Sequence, residues 1–112
     1  MYSFEWDENK RKINIAKHKS DFSDAIDLWN SKILIVEDKR VNYSEQRWIG
    51  FGLLYDKVMT VVFTQPKSNT IRIISFRKAN RREIKYYEEG NSQNNKICNI
   101  YSRTIKTYEK PN

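Results

Sequence analysis

The chain is poor in several residue types. Its 112 residues include one cysteine, one histidine, two prolines and three glycines. Cys98 cannot form an internal disulfide, and no metal-ligand spacing surrounds it. The glycines make no phosphate-cradling loop. Neither a serine elbow nor a hydrolase-type pair of carboxylates is present. No apolar run is long enough to cross a bilayer, and Met1–Lys10 lacks the apolar core of a secretory signal. The simplest expectation is a cytoplasmic protein with no membrane partner and no cofactor.

What is there is charge and aromatic surface. Charged residues make up 31% and aromatics 13%, with a net charge of +7. Residues 1–89 carry 17 cations and 13 anions, and the remainder 4 and 1. A basic balance favours a polyanion or an acidic protein segment. Three tryptophans argue against disorder throughout, since large aromatics carry much of a core's burial.

Along the chain, Tyr2, Phe4 and Trp6 alternate as in a short strand. Asp7 is a good N-cap for a basic helix running to His18. A second helix follows Ser20 or Asp21, with Phe22, Ala25, Ile26 and Trp29 recurring on one core-facing stripe. Ile33–Val36 reads as a strand, and Glu37–Gln46 as a polar loop. Strands are expected at Arg47–Leu54, Lys57–Thr64 and Thr70–Phe76, joined at Tyr55-Asp56 and through a turn at Gln65–Asn69. Gly50 and Gly52 share one face, as expected where something packs closely or the strand bends. A last helix spans Asn80–Glu88. The class is therefore α+β, an antiparallel sheet of four to five strands with two helices before the meander and one after it. We expect the helices on one face and the other face open. Residues 1–89 form the domain. From Gly90 the texture turns polar, and residues 90–112 read as a basic tail, mobile or docking, with Ile97, Ile100, Tyr101, Ile105 and Tyr108 as its apolar content.

Cations concentrate in Ile71–Glu89. Ile71, Ile73 and Ser75 alternate with Arg72, Ile74 and Phe76 as in a strand. Arg77, Lys78, Arg81, Arg82 and Lys85 follow, against Glu83, Glu88 and Glu89. A charge inside a strand is costly on a packed face, so Arg72 faces solvent, a carboxylate or a cleft. Arg77 and Lys78 are placed to meet an anion.

This run resembles the BrnT family of bacterial toxins, whose fold is related to RelE-like ribonucleases. The resemblance lies in Ile71–Ala79, then Arg81-Arg82-Glu83 and Tyr86-Tyr87. It extends to Trp6-Asp7, Lys17-His18 and Glu45-Gln46-Arg47, in order over residues 4–89. Three positions depart from the pattern. Phe76 stands where a small residue is usual, Lys19 follows Lys-His in place of Gly, and Ser44 precedes the Glu-x-Arg in place of Gly.

The resemblance implies a type II toxin, a metal-independent endoribonuclease that cuts mRNA and stops translation. It also implies a cognate antitoxin with a ribbon-helix-helix part, through which alone DNA is bound. RNA supplies its own nucleophile, the 2′-OH, so a protein need only align it, take its proton and stabilise the added charge. Arginine grips phosphate but stays protonated. Lys17, His18 or Glu45 could be the base, with Arg47, Arg72 and Arg77 stabilising charge. Lys78, Arg81, Arg82 and Lys85 would track the RNA backbone.

Each residue also has a plainer role open to it. His18 could neutralise its helix's C-terminal dipole, Glu45 and Arg47 could pair with each other, and Tyr86 and Tyr87 could be core. A non-catalytic basic module that holds RNA or protein is the rival function. The catalytic expectation is that Arg47, Arg72 and Arg77 converge on the open face or rim, with Lys17 or His18 nearby.

Overall fold

The computed structural model describes residues 2–30, 32–40, 44–91 and 105–108. Strand β1 (Ser3–Trp6) leads into helix α1 (Glu8–His18), short helix α2 (Phe22–Ala25) and a 3₁₀ turn at Ile26–Asn30. Strands β2 (Ile33–Glu37), β3 (Trp48–Leu54), β4 (Lys57–Lys67) and β5 (Thr70–Lys78) follow, then α3 (Arg81–Asn91) and β6 (Ile105–Tyr108). The class is α+β as expected, but the sheet is mixed, in the order β1-β5-β4-β3-β2-β6. The meander β2 to β5 is antiparallel, whereas β1 lies parallel to β5 with Glu5 opposite Arg72. Two strands so far apart in sequence can join in parallel because the helices and the meander supply the long return.

The local signals act as read. The Asp7 carboxylate accepts from the backbone N–H of Asn9 (2.8 Å) and Lys10 (3.1 Å), and Asp21 caps α2 through Ser23. Arg11 then ties the first turn of α1 to the cap of α2, donating to Glu8 at 2.6 Å and to Asp21 at 2.9 Å. The Tyr55-Asp56 connection has both residues at positive φ, 50° and 68°, the backbone of a tight two-residue hairpin.

Two cores flank the sheet, so the expected open face is a misreading. Phe22, Ala25, Leu28 and Trp29 pack on one face against Ile33, Val61, Phe63, Ile71, Ile73 and Phe76. Edge-to-face contacts of Trp29 with Phe4 (5.2 Å) and Phe63 (5.1 Å) build its centre. The opposite face carries α3, whose Tyr86 and Tyr87 pack on Leu34, Val36, Ile49, Phe51 and Val62. Those tyrosines are core. Gly50 and Gly52 leave room on the first face: a Cβ on Gly50 would lie 2.8 Å from the Ile33 side chain of β2, and one on Gly52 3.2 Å from Leu28 of the 3₁₀ turn.

A β-bulge changes the reading of β5. Val62 pairs with Ser75 but Phe63 with Ile73, so one residue is extra. The extra residue resets the alternation. Phe76 therefore points to the same core as Ile71 and Ile73 and is fully buried, not to the side of Arg72. Beyond the last β1 partner the β5 edge is completed by a side chain. The Asn14 amide donates to the Phe76 carbonyl at 2.7 Å and accepts its N–H at 3.2 Å.

Of the expected loop Glu37–Gln46, positions 41–43 lie outside the described residues. The same holds for the tail at 92–104 and 109–112, including Ile97, Cys98, Ile100 and Tyr101. Ile105–Tyr108 runs antiparallel beside β2.

Candidate active site and nucleic-acid interface

The sheet presents two charged groups on its α3 face, one at each end of the strands. At the first end a single row crosses the sheet. Glu5 lies beside Arg72 and Arg72 beside Thr64. Extending the β3–β4 register one step past Trp48–Phe63 puts Arg47 beside Thr64. The Asp38 N–H donates to the Arg47 carbonyl at 2.9 Å, so Asp38 ends the row. The sequence is carboxylate, guanidinium, hydroxyl, guanidinium, carboxylate. Neighbouring strands lie about 4.8 Å apart, so the two arginine backbones are about 10 Å apart. Arg72 donates to Glu5 at 2.6 Å, with 58% of its side chain exposed. The Asp38 side chain is fully buried and is clasped by Arg40 at 2.8 and 2.9 Å. Glu45 is exposed and precedes β3, so it does not share a strand face with Arg47.

The second end is built around Arg77. It lies five residues further along β5, roughly 15 Å from Arg72. Its guanidinium holds Glu83 with two parallel bonds, 2.7 and 2.8 Å. Glu83 is completely buried, and also accepts from Thr60 Oγ1 (3.1 Å) and the Asn80 N–H (2.9 Å). The Asn80 side chain accepts the Glu83 N–H in return at 2.8 Å. This reciprocal cap starts α3 and locks it to β4 and β5. A buried carboxylate needs such a full set of donors to remain charged.

The C-terminal end of α1 reaches this second end. Asn14 fastens α1 to Phe76, one residue before Arg77. His18 is half-buried there, and its imidazolium is disfavoured. Burial is the main cause, followed by the positive charges of Lys17 and Arg77, and together they hold its pKa below the usual 6.5. Lys17, the neighbouring residue, is exposed, as are Lys78 at the end of β5 and Arg81, Arg82 and Lys85 on α3. Lys19, at the family's glycine position, adopts φ 58° and ψ 30°, and its ammonium donates to the Ala16 carbonyl at 3.2 Å.

The expected single cluster is therefore divided. Arg47 and Arg72 share one row, while Arg77 joins Lys17 and His18 at the other end. The sequence reading missed Glu5 and Asp38 as partners and Glu83 as an anchor. The spacing Asn80-x-x-Glu83 is that of a capping box and could have pointed to Glu83. The contact of Glu83 with Thr60, 23 residues earlier, has no such signal.

A family model described as "Ribonuclease toxin, BrnT, of type II toxin-antitoxin system" matches residues 6–83. The class is thus a ribonuclease toxin, and the match ends on the buried carboxylate that holds Arg77. The crystal structure of the Brucella abortus ribonuclease toxin BrnT is similar, at 28% identity and TM-score 0.55, covering 72% of this chain and 100% of that one. No curated protein matches the chain. The chain belongs to the BrnT family of type II toxin–antitoxin systems, which brings with it a cognate antitoxin as partner. None of the helices among the described residues is long and apolar enough to cross a membrane.

Proposed function

We propose that the protein is an endoribonuclease that cuts mRNA without metal, at the end of the sheet where α1 meets Arg77. The observation that carries this reading is His18. It stands at the end of α1 that Asn14 ties to the residue before Arg77, and burial with the charges of Lys17 and Arg77 disfavours its imidazolium, as a general base requires. In this reading the neutral ring takes the proton of an RNA 2′-OH. That oxygen bonds to the adjacent phosphorus, the bond to the 5′-oxygen breaks with that oxygen taking a proton from water, and a 2′,3′-cyclic phosphate remains. Lys17 and Arg77 offset the extra charge, and Lys78, Arg81, Arg82 and Lys85 hold the flanking phosphates. Arg47 and Arg72 bind RNA at the other end, and Glu45 has no part in the proton transfer. The antitoxin, with a ribbon-helix-helix part, covers this basic surface and carries the pair to DNA. The cytoplasm, where mRNA is met, is the compartment.

The test is purified protein with RNA in EDTA. We expect cleavage that leaves cyclic phosphate ends. His18→Gln should slow it by about 10²–10⁴, the usual contribution of a positioned base. Its rate should fall on acidification only below pH 6.5 in the parent protein, because the base is lost when it protonates. Cleavage only with added magnesium would overturn the metal-free step. One observation favours the non-catalytic rival: Arg72 and Arg77 are both engaged by carboxylates. No cleavage under either condition, nor with ribosomes, would establish that rival.

A further inference from the structure

The two edges of the sheet are finished differently. At one edge β1 carries the charged Glu5, and beyond it Asn14 takes up the Phe76 N–H and carbonyl. At the other edge the meander ends on β2, where Ile33, Leu34, Ile35 and Val36 are buried, uncharged and paired with β3 in unbroken register. Ile105–Tyr108 closes that edge from the far end of the chain. We propose that β6 is a guard strand, which occupies the β2 edge in cis and so excludes a second copy of this chain. The role is independent of whether the protein cuts RNA.

Natural sheets blunt an edge with charge, proline or a bulge, because an apolar, regular strand offers its free N–H and C=O groups to any other chain. Ile33–Val36 has none of these devices. Its flanking charges favour self-pairing. Two copies related by a two-fold axis set β2 antiparallel to β2, which brings the Lys32 end of one strand against the Glu37 end of the other. Opposite charges across such a pair attract. The backbone groups involved are those that β6 uses, so the two pairings exclude each other.

The place of β6 suits it to this task. It begins 22 residues after the family match ends at Glu83, and it lies beside β2 alone in the described sheet. It is thus an addition at the edge rather than a strand of the meander. Thirteen residues separate it from the end of α3. A tether of that length presents β6 to β2 at an effective concentration on the order of millimolar, well above that of a second copy in dilute solution.

The test compares the full chain with a double variant, Lys106→Pro with Thr107→Pro, by sedimentation at about 10–100 µM, below the tethered concentration. Successive N–H groups of a strand point to opposite sides, so one of the two prolines removes a bond to β2 wherever the ladder falls. The parent should sediment as a monomer, and the variant should form a dimer whose fraction rises with concentration. A synthetic peptide of residues 103–110, added in excess, should return the variant to monomer by taking the β2 edge. Asn112→Pro, beyond β6, should behave like the parent. A parent that is itself dimeric overturns the proposal, as does a double variant that stays monomeric. Association that the peptide does not reverse overturns it too, because the contact then lies elsewhere. So does a double variant that loses cooperative unfolding in urea, since β6 is then part of the folding unit and not a guard.

Discussion

Arg77 shows how one side chain can be read twice. Its place at the end of a strand suggests a phosphate ligand, while its two bonds to Glu83 make it a structural clasp. Removing it strands a buried carboxylate among two neutral donors. Breaking such a pair costs about 3–5 kcal/mol. Arg77→Ala should therefore lower the melting temperature sharply before it reports on catalysis. Glu83→Gln, which keeps the shape, should cost less than Glu83→Ala, as calorimetry can check. Residue identity also explains where reading succeeded. Asp7 and Asp21 are caps whose effect is local, so sequence shows them. Glu83 is buried by Thr60 and Arg77, which the chain brings to it from another element. Lys19 sits in a left-handed conformation, which accounts for a glycine at that point in the family pattern.

The elements were largely legible because each carries its own periodicity. The meander strands lie where alternation puts them, although β4 runs on to Lys67 through part of the expected turn; the second helix follows its apolar stripe but continues as a 3₁₀ turn, and the first and last follow from the Asp7 cap and from composition. Three features were not. The bulge in β5 needs its partner strand to be visible, since the same residues read as unbroken alternation. The parallel pairing of β1 leaves no local signal. The covering of the second face depends on Tyr86 and Tyr87 meeting Phe51, a contact 5.5 Å between ring centroids with Tyr86. The β3–β4 hairpin offers a direct test at this scale. Tyr55 and Asp56 both occupy left-handed backbone, where Asn-Gly is at ease. The double change Tyr55→Asn, Asp56→Gly should raise stability by about 1 kcal/mol, measured as a higher urea midpoint with unchanged slope.

At the scale of the molecule, acid should act in two stages. His18 has its pKa lowered in the folded state by burial and by Lys17 and Arg77. The unfolded chain then binds the proton more readily, so stability is complete above about pH 6.5 and falls as pH drops through the folded value. Asp21 has its carboxyl held down, from 3.8 to about 2, chiefly by its hydrogen bond with Arg11. Its contribution is present above the unfolded value and is lost as pH falls toward about 2. Because Asp21 is partly exposed, that second stage is shallow. Thermal melts across pH should show both stages in the parent. His18→Gln should abolish the upper one, and Arg11→Ala should move the lower one to higher pH. The split of the cations between two sheet ends was beyond the sequence for a related reason. Three arginines in strand positions look equivalent until the register sets which of them share a row.

The parallel seam between β1 and β5 has a consequence in time. Trp6 meets Ile73 and Asn14 meets Phe76, so the first elements of the chain have no place to dock until β5 has been made. His18 likewise meets Arg77 only once β5 is complete, and Arg77 meets its anchor only with Glu83. Contacts between such distant positions form late and slowly. A growing chain released from synthesis one segment at a time thus lacks the seam between its first elements and β5 until most of its length has emerged.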